Sequence, residues 1–138
     1  MISVNIKRQF LCDKRKLWDI VTDNKNYSWR SDVLRIDIVD DTHFIEYGKG
    51  EYKTFFTITK KEVGDVYQFE LENTNLKGIW IGTFTEISSG LVELSFTEEI
   101  EVHSKVMRIF AKGYLKKQQK RYMDDLEKAI SIKREYEK

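Results

Sequence analysis

Few residues in this 138-residue chain combine a reactive type with a suggestive setting. Glu98 is the first, because it alternates onto the same strand face as Val92, Leu94, Phe96 and Ile100. A carboxylate on an apolar face must be paired, hydrogen-bonded or protonated. Such a group can anchor a ligand or act as a general acid or base. The plainer alternative pairs it with a Lys or Arg of a helix. Glu46 is the second carboxylate, and its side depends on register. A two-residue Asp40-Asp41 turn puts His43, Ile45 and Tyr47 on the face of Ile36 and Ile38. One more loop residue puts Phe44 and Glu46 there instead, the option that an apolar Phe44 favours. Gln118, beside Tyr114 and Tyr122 on a helical stripe, is a third polar candidate. In an enzyme, Glu46 or Glu98 would move the proton and Tyr114 would orient the substrate.

Other chemistries lack their parts. The two histidines, His43 and His103, fall in no metal-ligand spacing, and Cys12 stands alone, so no metal site and no cofactor are expected. Cys12 precedes a helix start, which can activate a thiol, but a small buried cysteine is the commoner case. Gly48-Lys49-Gly50 reads as a hairpin turn and not as a phosphate cradle. With one cysteine there is no internal disulfide, and a reducing, cytoplasmic setting is expected. The N-terminus alternates and carries charge, unlike a leader peptide.

The elements that must position these residues follow from periodicity. Ile2, Val4 and Ile6 alternate as a first strand. Asp13 is a candidate N-cap for a short helix carrying Leu17, Trp18 and Val21, and Thr22 to Trp29 forms a loop or second short helix. Six strand-like segments follow, Val33–Val39, Thr42–Tyr47, Glu51–Lys61, Val66–Glu72, Gly78–Ile87 and Leu91–Val102. Turns this short require antiparallel pairing. From Ser104 the pattern becomes helical, with Met107, Phe110, Tyr114, Leu115, Tyr122, Leu126 and Ala129 near a 3.6-residue period. Such a helix is long for this chain, so its last turn or two are expected to fray or pack elsewhere. The expected architecture is α+β. It is a curved antiparallel sheet of about seven strands gripping a long C-terminal helix, with short helices between strands 1 and 2, in one domain over 1–138.

Large side chains recur at interior parity. Thr54 and Phe56, Tyr67 and Phe69, Trp80 and Phe84, and Leu94 and Phe96 share faces, with Met107, Phe110 and Tyr114 opposite on the helix. They either fill a core or line a cavity. Trp29 and Asp32 lie in the connection before the second strand, where a Trp can lid a pocket mouth or cover the open end of the sheet.

The order of elements resembles the START-like helix-grip superfamily, the polyketide cyclase/dehydrase and lipid-transport (SRPBCC) group. The segment Tyr27-Ser28-Trp29-Arg30-Ser31-Asp32-Val33 falls where members often carry an aromatic-rich W-x-x-D-type stretch. Phe44-Ile45-Glu46-Tyr47, Asn75-Leu76-Lys77-Gly78-Ile79-Trp80 and the run from Tyr114 to Tyr122 look like a small bacterial branch. The resemblance spans nearly the whole chain and brings no shared catalytic signature. It implies a cavity that binds a small hydrophobic molecule or lipid, lined by Trp29, Asp32, Thr54, Phe56, Phe69, Trp80, Phe84, Phe96, Met107, Phe110, Tyr114 and Gln118. Carriers, cyclases, hydrolases and chaperone activators all occur in the group, so an enzyme and a protein-interaction module stay open.

Charge and hydropathy bound the partners. The net charge of +1 hides an asymmetry, since residues 104–138 carry 11 Lys/Arg against 5 Asp/Glu. Lys105, Lys112, Lys116 and Lys120 lie opposite Met107 and Tyr114. The aromatic residues fall on the other stripe, so a solvated helix face is expected and nucleic acid is not. No apolar run is long enough to span a membrane. A homodimer is left open.

Overall fold

The computed structural model describes residues 1–136, with side chains through residue 132. The chain runs β1 (Ile2–Phe10), α1 (Lys14–Thr22), β2 (Arg35–Ile38), β3 (His43–Gly48), a 3-10 turn (Lys49–Glu51), β4 (Tyr52–Glu62), β5 (Val66–Glu72), β6 (Leu76–Ser88), β7 (Leu91–Val102) and α2 (Lys105–Tyr136). The described strands form one antiparallel sheet in the order β1-β7-β6-β5-β4-β3-β2. Register shifts at Ile58/Lys60 and at Glu86/Ser88 interrupt β4 and β6. Such bulges bend strands and help a sheet curve. Gly64 and Gly90, at φ 83° and 76°, take the left-handed conformation that their hairpin turns need.

The expected α+β helix-grip architecture is present, with differences in detail. One helix separates β1 and β2, capped by Asp13, whose carboxylate accepts from the amides of Arg15 and Lys16 at 2.8 and 3.3 Å. No second helix forms between Asp23 and Leu34, which runs as turns. β2 spans Arg35–Ile38 only, so Leu34 and Val39 stay out of it and are exposed.

The core lies between the concave sheet face, α1 and α2. Leu17, Trp18, Val92, Leu94, Met123 and Leu126 are buried there, with Trp18 edge-on to Phe84 at 5.1 Å. A second cluster of Val4, Ile100, Val102 and Leu115 holds the upper helix to β1 and β7. An ion pair between Arg8 and Asp124 at 2.8 Å joins β1 to the lower helix.

The helical stripe differs from the expected one. The stripe that α2 buries runs through Leu115, Gln119, Met123, Leu126 and Ile130, spaced by three and four, with Asp125 buried beside it. Met107, Phe110 and Tyr114 belong to the neighbouring stripe that continues through Gln118 to Tyr122. Met107 is 43% exposed, Phe110 71% and Tyr114 60%, because the first turns of α2 stand clear of the sheet, and only Ala111 reaches the upper cluster. At 1.5 Å per residue the 32-residue helix is about 48 Å long, more than the sheet can cover. The expected fraying concerns the last turns, where side chains 133–138 lie outside the described residues. Among the described residues no helix is long and apolar enough to cross a membrane.

Candidate functional site

The sheet and α2 do not close on each other completely. Between them lies a cavity of about 640 Å³, lined by β3 to β7, the 23–34 segment and α2. Its walls are built in rows across the concave face. Glu46 pairs with Thr54, Phe44 with Phe56, and Phe69 with Trp80, which in turn pairs with Glu98. The three-residue loop Asp40-Asp41-Thr42 closes on a bond from the Val39 amide to the His43 carbonyl at 2.9 Å. That longer turn puts Phe44 and Glu46 inside, resolving the register. His43 and Ile45 point outward.

Aromatic stacking forms one side of the cavity. Phe44 stacks on Phe56 at 4.7 Å, Phe69 on Trp80 at 4.9 Å, and Trp80 on Phe96 at 4.9 Å. Gly82 makes this possible, since a Cβ there would come within 2.5 Å of the Trp80 ring. Tyr122 of α2 meets the Phe96 ring edge-on at 5.2 Å.

The polar side is organised around Arg30. Its guanidinium forks onto Asp32, with Nε–Oδ1 and Nη2–Oδ2 both at 3.1 Å, and reaches Glu46 with two contacts at 3.4 Å. The same cation sits 5.0 Å from the Tyr122 ring centre and 5.8 Å from that of Trp29. All three charged side chains are at most 17% exposed. Ser31 fixes the segment to the helix. Its amide and hydroxyl donate to the buried Asp125 at 2.8 and 2.7 Å, and its hydroxyl and carbonyl accept from Arg121 at 2.7 and 2.9 Å.

Glu98 stands apart from this pair. Its Oε1 accepts from Gln119 Nε2 at 3.2 Å, and the same amide donates to the Val4 carbonyl at 3.1 Å. Burial pushes the Glu98 carboxyl up to about 7, opposed by the Gln119 bond and Arg30 and reinforced by Glu46. Burial also raises Glu46, with Arg30 only partly offsetting it. Asp32 goes the other way. Burial would raise it, but Arg30 beside it outweighs burial and keeps it ionised. Burial disfavours the charge on Arg30, yet Glu46 and Asp32 prevail and hold its proton more firmly than usual. Burial raises Tyr122 strongly, so its phenol stays protonated.

The structure thus brings Asp32, Glu46, Thr54, Phe56, Phe69, Trp80, Phe96, Glu98, Tyr114 and Gln118 to one cavity. Trp29, Phe84, Met107 and Phe110 do not line it. Trp29 packs edge-on against Tyr122 at 5.3 Å instead of lidding the mouth. Phe84 lies toward the opposite end of β6, covered by Trp18 of α1. Met107 and Phe110 sit on the helix turns beyond the sheet. The partner of Glu98 is Gln119, not a helix Lys or Arg. Arg30, Gln119 and Tyr122 also line the cavity, and sequence reasoning did not name them as site candidates. The four-residue step from Leu115 through Gln119 to Met123 is a signal that could have found Gln119. Among the described residues no group of three or more His, Cys, Asp or Glu side chains is arranged to hold a metal ion.

No family model and no curated protein matches the chain. Solved structures do. A START superfamily protein from Mycobacterium smegmatis superposes with a TM-score of 0.86 at 12% identity, covering 94% of this chain and 97% of that one. A conserved protein from Geobacillus kaustophilus gives 0.84 at 14% identity, covering 95% and 96%. The di-domain ARO/CYC BexL of the BE-7585A biosynthetic pathway gives 0.81 at 8% identity, covering 95% of this chain and 47% of that one. The chain has the helix-grip fold of the START superfamily.

Proposed function

We propose that the protein binds a small molecule with an apolar body and a polar end in the cavity between sheet and α2. The observation that carries this reading is the cavity itself. At about 640 Å³, it is lined by stacked aromatic rings together with Arg30, Asp32, Glu46 and Glu98. Ligand pockets commonly hold about 300–1,000 Å³, mostly apolar with a few oriented polar groups. A packed core would have filled this space with side chains. Tyr122 also fits, since it lines the cavity and its hydroxyl has no hydrogen-bond partner among the described residues.

A second reading is favoured by Glu98. A carboxyl held near neutrality inside a cavity can protonate or deprotonate a bound molecule. One structural neighbour is described as an ARO/CYC, so a cyclase-type reaction is the enzymatic form of this reading.

Native mass spectrometry of the protein purified from its own source tests the binding reading. The expected result is an added mass of small-molecule size that is lost on denaturation. Leu71→Trp, which places an indole in the cavity wall, should abolish it. A bare chain, together with no heat of binding to any amphiphile, would refute the reading. Incubation with the extracted molecule separates carrier from enzyme, since an enzyme converts it and Glu98→Gln stops the conversion.

A further inference from the structure

Among the half-buried charges of the cavity, acid outnumbers base. Three carboxyls, Asp32, Glu46 and Glu98, share that part of the lining with one cation, Arg30. That cation is already engaged, with Nε and both terminal nitrogens directed at Asp32 and Glu46. Asp32 alone balances its charge, which leaves Glu46 and Glu98 in excess. Among the described residues, Glu98 has Gln119 as its sole hydrogen-bond partner, through one oxygen. Its other oxygen, the Tyr122 hydroxyl and the Gln118 amide are polar groups of the lining without a hydrogen bond to the described residues.

We infer that the buried polar end of the ligand is neutral or cationic, an alcohol or a protonated amine, and that the cavity excludes a carboxylate there. The inference rests on the binding reading above and specifies the ligand class of the same site. An alcohol can donate to Glu98 and accept from Tyr122. An ammonium group forms a charge-assisted bond to Glu98 and displaces that carboxyl's proton to solvent, since alkylammonium itself stays protonated at neutral pH. A carboxylate meets two acids in excess and a guanidinium with its fork occupied, so only neutral donors such as the Tyr122 hydroxyl are left to it, and no half-buried cation offsets the hydration it gives up. The groups acting on Glu98 are Arg30 from the 23–34 segment, Glu46 from β3 and Gln119 from α2, with Asp32, Tyr122 and Gln118 lining the same cavity. The remaining cations of the lining are Lys49 and Lys117, exposed at the mouth, and Arg121, which is tied to Ser31. Charges in water there are screened and weak.

Isothermal titration calorimetry with dodecylamine, dodecanol and dodecanoic acid, below their micellar concentrations, tests this on the intact chain. The amine and the alcohol should bind, and the amine should be tighter than the acid by about tenfold or more, the effect of one nearby opposite charge. Repeating the amine titration in two buffers of different ionisation enthalpy should show proton release near pH 7. Glu98→Gln should bring the amine-to-acid ratio down severalfold and remove the proton release. The acid binding as tightly as the amine overturns the inference and leaves the binding reading standing. Failure of all three to bind overturns both. A ratio that survives Glu98→Gln overturns the assignment to this carboxyl. The wild-type series decides the matter even if the variant does not fold.

Discussion

Arg30 is a cation whose place in the fold is justified by its two acids, and the converse also holds. Removing one member of a buried ion pair leaves an uncompensated charge, at a cost of about 3–5 kcal/mol. Arg30→Met should therefore lower stability by about that much at neutral pH in urea denaturation, because Asp32 and Glu46 lose their common partner. The loss should shrink in acid, where both carboxyls protonate. Glu98 makes a different prediction. Its folded value near 7 lies above the ordinary 4.5, so the folded chain holds a proton that the unfolded chain releases between those values. Its contribution therefore favours folding below about pH 4.5 and is lost as pH rises toward about 7. Glu98→Gln has no such proton to lose. Relative to wild type it should gain about 1–3 kcal/mol across that window and hold the difference above it. Thermal melts of both proteins from pH 4 to pH 8 (roughly the span of the two values) check this; parallel curves would contradict it.

At the scale of elements, α2 divides into two parts that sequence periodicity treats as one. The lower part packs, since Met123 and Leu126 are fully buried. The upper part does not, since Val106, Ile109 and Phe110 are each at least 69% exposed. Met123→Ala should cost about 2–5 kcal/mol, the usual price of a core cavity. Phe110→Ser should change stability by no more than about 0.5 kcal/mol, as a surface substitution does. Chemical denaturation of the two variants side by side distinguishes this split from a helix packed along its length. The 23–34 segment is the other element whose role comes from its attachments. Ser31 bonds to Asp125 and Arg121, which sets Arg30 and Asp32 over the sheet.

For the whole molecule, local patterning was enough for the architecture. Alternation in the strand segments, glycine turns at Gly64 and Gly90, the Asp13 cap and a proline-free helical tail each act over a few residues, so they are legible without the fold. The same holds for the exclusion of an internal disulfide by a lone Cys12. The interior parity of Phe56, Phe69, Trp80, Phe96 and Glu98 was also readable, because side chains alternate strictly along a strand. Three things required the tertiary structure. The side of Glu46 turned on one loop residue, which Phe44 leaned toward and only the closed turn decided. The buried face of α2 passed through Gln119 and not through Met107 and Phe110, because where a helix overhangs its sheet depends on where the sheet ends. Arg30 found Glu46 and Tyr122 across the fold, and Gln119 found Glu98. Those contacts bring together groups far apart in the chain, and their charge balance exists only once burial has removed the water between them.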